Sequence, residues 1–177
     1  MLPPVTGWAL WLLPDLKTNS FYSGMIGNLA ELHQSDPFTP HITISRVPDL
    51  PPSELNSLMD TIANRSGSFY IDVKRVVCRE EPYQKICLEL IKNGSFEQLT
   101  DNIDFTLRGS YSKKKDPHLS LLYSREHCNT LSDTMFKLEQ RHFKKIRCTE
   151  LAIIHFSGQP SDWTIVHRTP LKQNIED

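Results

Sequence analysis

The sequence writes "PHITIS" at residues 40–45 and "PHLSLL" at residues 117–122. Each reads proline, histidine, an aliphatic residue, a hydroxyl residue and a second aliphatic residue. In a β-strand alternate side chains point the same way. His41 and Thr43 therefore share one face, with Ile42 and Ile44 on the other; His118 and Ser120 likewise oppose Leu119 and Leu121. Each strand buries aliphatics behind it and presents an imidazole beside a hydroxyl in front. A single copy is weak evidence, because most such histidines are half-buried residues with a satisfied hydrogen bond. Two copies with the same flanking proline and the same alternation point to a shared task.

The surrounding pattern predicts the elements that carry the two motifs. Apolar runs predict strands over 6–13, 41–47, 69–78, 85–91, 118–123, 147–157 and 163–169. Helical spacing of Phe21, Met25, Ile26, Leu29 and Leu32 predicts a helix over 19–33, and Leu55, Leu58, Met59 and Ile62 predict one over 52–64. Further helices are expected over 95–105 and 128–143, with "LRGSYSKKKD" at 107–116 a polar loop leading to His118. Strands that follow one another without helices between them exclude a doubly wound parallel sheet. The order predicts an α+β fold. One domain over residues 1–177 is expected, bilobal, with two pseudo-symmetric lobes that each hold an antiparallel sheet and helices, and a cleft between them.

The chain has 177 residues, 38% hydrophobic and 23% charged, which is the make-up of a soluble globular protein with a sizeable core. Its net charge of −1 offers no basic excess for stable nucleic-acid binding, though a few groups can still grip a small anion. Cys78, Cys87, Cys128 and Cys148 form no CxxC pair, so they read as mostly buried thiols in a reducing compartment, with one disulfide left open. The run "VTGWALWLLP" lacks a basic leader and is too short to span a bilayer. A soluble, cytoplasmic monomer is expected, with no membrane partner; peripheral association with an endomembrane such as the Golgi stays open.

Two imidazoles and two hydroxyls converging on one cleft suit phosphodiester chemistry without a metal. One neutral imidazole takes a proton from water, and one imidazolium gives a proton to the leaving alkoxide. Thr43 and Ser120 donate hydrogen bonds to the nonbridging phosphoryl oxygens. No carboxylate or cysteine stands at ligand spacing from either histidine, so no metal and no cofactor are expected.

On these residues the chain resembles the two-histidine phosphoesterase superfamily, and within it the fungal and plant cyclic nucleotide phosphodiesterases. That closer likeness adds length, the "WLLP" at 11–14 and the tyrosine after the second motif. The resemblance implies a bilobal fold with a water-filled cleft. It also implies hydrolysis of ADP-ribose 1″,2″-cyclic phosphate to the 1″-phosphate and of nucleoside 2′,3′-cyclic phosphates to 2′-phosphates, downstream of tRNA splicing. His41 and His118 match the catalytic positions, and Thr43 and Ser120 the phosphate-binding ones. Which histidine is base stays open; the resemblance leans towards His118 activating water.

Trp11 and Tyr123 are candidates to hold the nucleoside by stacking, with core packing an equal reading for each. Tyr123 stands at an odd offset from His118, so a role there requires the strand to end or bulge. Lys113, Lys114 and Lys115 read as a solvated loop with a steering effect on phosphate, and Trp163 as cleft-lining or core, with core the favoured reading. A 2′,5′-oligonucleotide or RNA-end-processing phosphodiesterase is the competing enzyme reading, and a noncatalytic binder of cyclic nucleotides or RNA ends the non-enzyme one. Hydrolysis in the presence of EDTA separates them.

Overall fold

The computed structural model of the chain describes residues 2–108, the backbone of 112–113, and 116–173. Among the described residues eight strands and four helices follow in the order β1 (Val5–Pro14), α1 (Leu16–Leu32), β2 (Ile42–Val47), α2 (Pro52–Ala63), β3 (Phe69–Cys78), β4 (Ile86–Ile91), α3 (Gly94–Leu107), β5 (Ser112–Lys113), β6 (His118–Leu122), α4 (Ser132–Glu139), β7 (Lys145–Gly158) and β8 (Thr164–Pro170). The expected α+β class holds. The lysine side chains at 113–115 and the last four residues lie outside the described residues.

All strand-to-strand pairings are antiparallel, and neighbours run β1-β2-β6-β4-β3-β7-β8, with β5 beside β2. A further pairing of β1 with β7 closes six of these strands into a ring. The expectation of two lobes with a sheet each is corrected by this: the sheet is continuous, because the 14-residue β7 is long enough to pair with β3, β1 and β8. The two histidine strands meet inside the ring, where Ile42 pairs with Leu119.

Opposite faces of the sheet have separate apolar clusters. One gathers Leu10, Leu12, Ile42, Ile44, Leu119 and Leu121 with the buried sides of the helices, including Tyr22, Ile26, Met59 and Ile103. The other joins Ala9, Trp11 and Leu13 of β1 to Ala152, Ile154 and Phe156 of β7. With apolar neighbours on both faces, β1 reads as a continuous apolar run rather than an alternation. Roughly 1.5–3 kcal/mol accompanies full burial of each large aliphatic side chain, so these clusters hold the strand bearing Trp11 firmly.

Helix α1 begins three residues before the expected start. Asp15 caps it by accepting a hydrogen bond from the Thr18 amide at 2.8 Å, the usual task of an aspartate at a helix N-terminus. Helix α4 is shorter than expected, because residues 128–131 form a 3₁₀ turn. The reading of four free thiols is also corrected. Cys78, at the end of β3, is disulfide-bonded to Cys128 in that turn, and Cys87 and Cys148 are buried and free. The two partners stand 50 residues apart, and only the fold brings their Cα atoms to 5.8 Å. No described helix is long and apolar enough to cross a membrane.

Candidate active site

The pair Ile42↔Leu119 sets the geometry of the site. Continued by one residue in each direction, that antiparallel register places His41 beside Ser120 and Thr43 beside His118. Directly opposed residues of such strands lie about 5 Å apart at Cβ. The four side chains of the two motifs thus form one square on the cleft face, with the histidines across its diagonal.

Both imidazoles are fixed in the same way. Nδ1 of His41 lies 2.6 Å from the Thr39 carbonyl oxygen, and Nδ1 of His118 lies 3.0 Å from that of Asp116. A carbonyl only accepts, so each Nδ1 carries the proton, and proton transfer falls to Nε2. In both cases the acceptor is two residues upstream, just before the proline. That gives the repeated Pro-His a structural reason: proline holds the preceding residue extended, where its carbonyl can meet the ring.

His41 is 5% exposed, and the Trp11 indole covers one face of its imidazole, with ring centroids 3.4 Å apart and planes 7° from parallel. Burial, and after it the charge of nearby His118, lower its pKa from 6.5 to about 3 against the opposing effect of the Thr39 carbonyl. The Tyr123 hydroxyl lies 3.5 Å from His41 Nε2. Burial drives the Tyr123 pKa upward against a hydrogen bond with the Ser120 side chain, so this hydroxyl keeps its proton. Burial thus favours the neutral form of His41, in which Nδ1 donates to Thr39 and Nε2 is the accepting nitrogen. Ser120 donates to the Tyr83 carbonyl at 3.1 Å, a bond that a bound phosphate would have to replace.

Tyr123 reaches the cleft by the route its odd offset demands. Strand β6 ends at Leu122, and in its pairing with β4 the register slips between Ile86↔Leu122 and Cys87↔Ser120. Leu121 is the extra residue, and a bulge of this kind turns the residues after it to the other face. Trp11 reaches the expected face but not the expected place. It is 2% exposed with its broad side against His41, so the structure makes it a support for that ring rather than a wall of the cleft.

The cleft itself has a volume of about 260 Å³. Beside the two motifs it is walled by Tyr83, Gln84, Phe156, Trp163 and Arg46. Trp163 meets both of its readings: it packs against the cluster of Trp11 and Phe156 and also lines the cleft, following the 3₁₀ turn between β7 and β8, where its Nε1 donates to the Gly158 carbonyl and its ring meets Phe156, Tyr83 and Tyr123. Tyr83 and Gln84 come from the polar turn between β3 and β4, which gave no sign of facing a site. That turn is tied down by Lys85, whose Nζ donates to Glu80 at 3.1 Å, by the Ser124 amide on the Pro82 carbonyl, and by the Cys78–Cys128 disulfide beside it. Among the described residues no group of three or more His, Cys, Asp or Glu side chains is placed to hold a metal ion.

A closed antiparallel sheet with two histidine-hydroxyl strands side by side defines a paired-histidine cleft. Among solved structures the fold is similar to that of LigT from E. coli, with a TM-score of 0.64 over 98% of this chain and 100% of that one at 13% identity. It is also similar to a structure described as a phosphoesterase, with TM-score 0.60, 13% identity and 95% and 99% of the two chains, and to TT0787 of Thermus thermophilus, with TM-score 0.57, 12% identity and 94% and 98%. No family model matches the sequence. No curated protein matches it either.

Proposed function

We propose that the protein is a two-histidine phosphoesterase that hydrolyses cyclic phosphodiesters without a metal. ADP-ribose 1″,2″-cyclic phosphate would give the 1″-phosphate, and nucleoside 2′,3′-cyclic phosphates the 2′-phosphates, as a cytoplasmic step after tRNA splicing. The observation that carries this reading is the square formed by His41, Thr43, His118 and Ser120 around Ile42↔Leu119. Both Nδ1 atoms there are committed to backbone carbonyls.

In this reading His41 Nε2 takes a proton from the attacking water as its oxygen bonds to phosphorus. His118 gives a proton to the leaving ribose oxygen as one P–O bond of the ring breaks, the other being kept in the product. His41 is the acceptor because burial favours its neutral form, which reverses the order suggested by the family resemblance. The anionic phosphate then raises the affinity of the buried imidazole for the proton when it is needed. Thr43 and Ser120 meet the nonbridging oxygens, where charge shifts in the transition state. Tyr83 and Trp163 offer aromatic faces to the nucleoside, in the place first expected of Trp11.

The test is product analysis with EDTA present, using ADP-ribose 1″,2″-cyclic phosphate and adenosine 2′,3′-cyclic phosphate. Ring opening to the 1″- and 2′-phosphates supports the proposal. Inertness of well-folded protein towards both would overturn it and favour RNA-end processing or binding.

A further inference from the structure

The chain enters the sheet through "LPPV" at residues 2–5. Pro3 and Pro4 lack the N–H that would pair with β7, so β1 begins at Val5, opposite Gly158. A proline also holds the residue before it extended, here Leu2 and Pro3 in succession, which stiffens the segment. Core packing does not account for it, because Pro3 and Pro4 are exposed and Leu2 is half-buried.

The segment is held by side chains from two turns that wall the cleft. The Tyr83 hydroxyl donates to the Pro3 carbonyl, and Gln159 Nε2 donates to the Leu2 carbonyl at 2.9 Å. Tyr83 belongs to the turn between β3 and β4. Gln159 opens the turn between β7 and β8 that leads to Trp163, whose Nε1 donates to the Gly158 carbonyl at 3.3 Å. One stiff segment thus ties together two turns that lie far apart in sequence, and Val5, which follows it, joins the same cleft wall.

The Tyr83 and Trp163 rings stand 5.6 Å apart between centroids, with planes 35° from parallel. A base inserted between them would need about 7 Å, twice the contact distance of carbon atoms. They therefore offer one joint surface rather than a slot, and the shape of that surface depends on how the two turns are held.

Building on the proposed function, we propose that residues 2–4 form a strap that fixes the Tyr83–Trp163 surface. The strap thereby determines how strongly the protein prefers a cyclic phosphate on a nucleoside over the same cyclic phosphate on a sugar without a base.

The experiment measures kcat/KM for adenosine 2′,3′-cyclic phosphate and for 1-O-methyl-ribose 2,3-cyclic phosphate in the native protein, Tyr83→Phe and Gln159→Glu. Tyr83→Phe keeps the ring and removes the hydroxyl. Gln159→Glu keeps the shape and replaces the donor to Leu2 by an oxygen. The native protein should prefer the nucleoside by about 5- to 100-fold, the range for stacking of one base. Each variant should lower that ratio by about 2- to 10-fold, the range for one hydrogen bond, through KM for the nucleoside. A native ratio near one overturns the assignment, and so does a ratio that survives both substitutions, since the ring of Tyr83 would then suffice without its tie. Equal losses of kcat on both substrates would make the segment a general scaffold and reject its part in specificity. If Gln159→Glu does not fold, Tyr83→Phe decides alone. Should neither compound be hydrolysed, the proposed function fails, and the strap is judged by binding. Adenosine 2′-phosphate must then bind the native protein more tightly than either variant; equal binding rejects the strap.

Discussion

Replacing His41 by asparagine should make folding stability less dependent on pH. Asparagine keeps a donor near the Thr39 carbonyl but cannot titrate. In the native protein burial lowers the His41 pKa from 6.5 to about 3. Between those values the unfolded chain binds a proton on this ring that the folded chain refuses. Stability therefore rises with pH across the window, by about 1.4 kcal/mol per unit. From about pH 7 to about pH 5 this one residue should cost the native protein about 2 kcal/mol, a penalty that His41→Asn escapes. The assay is urea denaturation of both proteins at the two pH values, with the native-minus-variant difference as the readout, so that other titrating groups cancel. Parallel stabilities would refute the argument, since they would mean that His41 titrates alike in the folded and unfolded chains.

Three further outcomes are expected. Trp11→Ala should let water reach the covered face of His41 and raise its titration towards the ordinary histidine range, followed by NMR of the ring protons; an unmoved titration would assign the burial to other neighbours. Breaking the Cys78–Cys128 bond by Cys78→Ser should lower stability by about 4 kcal/mol for a 50-residue separation, and an unchanged urea midpoint would contradict it. Ser120→Ala should lower kcat by about 10- to 1,000-fold with less effect on KM if the hydroxyl acts mainly on the transition state, whereas a change confined to KM would make it a ground-state contact.

The two histidine strands were legible in the sequence because their information is local. Proline, alternation and a repeated hydroxyl place His41, Thr43, His118 and Ser120 on strand faces without reference to the rest of the chain. Arg46 and Tyr123 depend on bulges, and a bulge is a relation between strands: nothing in "HITISR" alone says that Ile44 will be passed over by β1. The burial of Trp11 beneath His41 comes from the pairing of β1 with both β2 and β7, which no local pattern encodes. Tyr83, Gln84 and Trp163 lie on turns, whose direction periodicity does not encode. The closed ring and the disulfide join segments far apart in sequence, so neither leaves a spacing to read.

The most direct test of the paired-histidine account is the pH dependence of kcat/KM for a cyclic phosphate in the native protein, His41→Asn and His118→Asn. The native profile should be a bell whose limbs belong to the coupled pair. Each variant should lose about 10²- to 10⁴-fold in rate. In what remains, His41→Asn should lack the acidic limb, set by the proton acceptor, and His118→Asn the alkaline limb, set by the proton donor. Limbs lost in the opposite order would reverse the two roles. A variant that keeps the native rate and the full bell would contradict the pair itself.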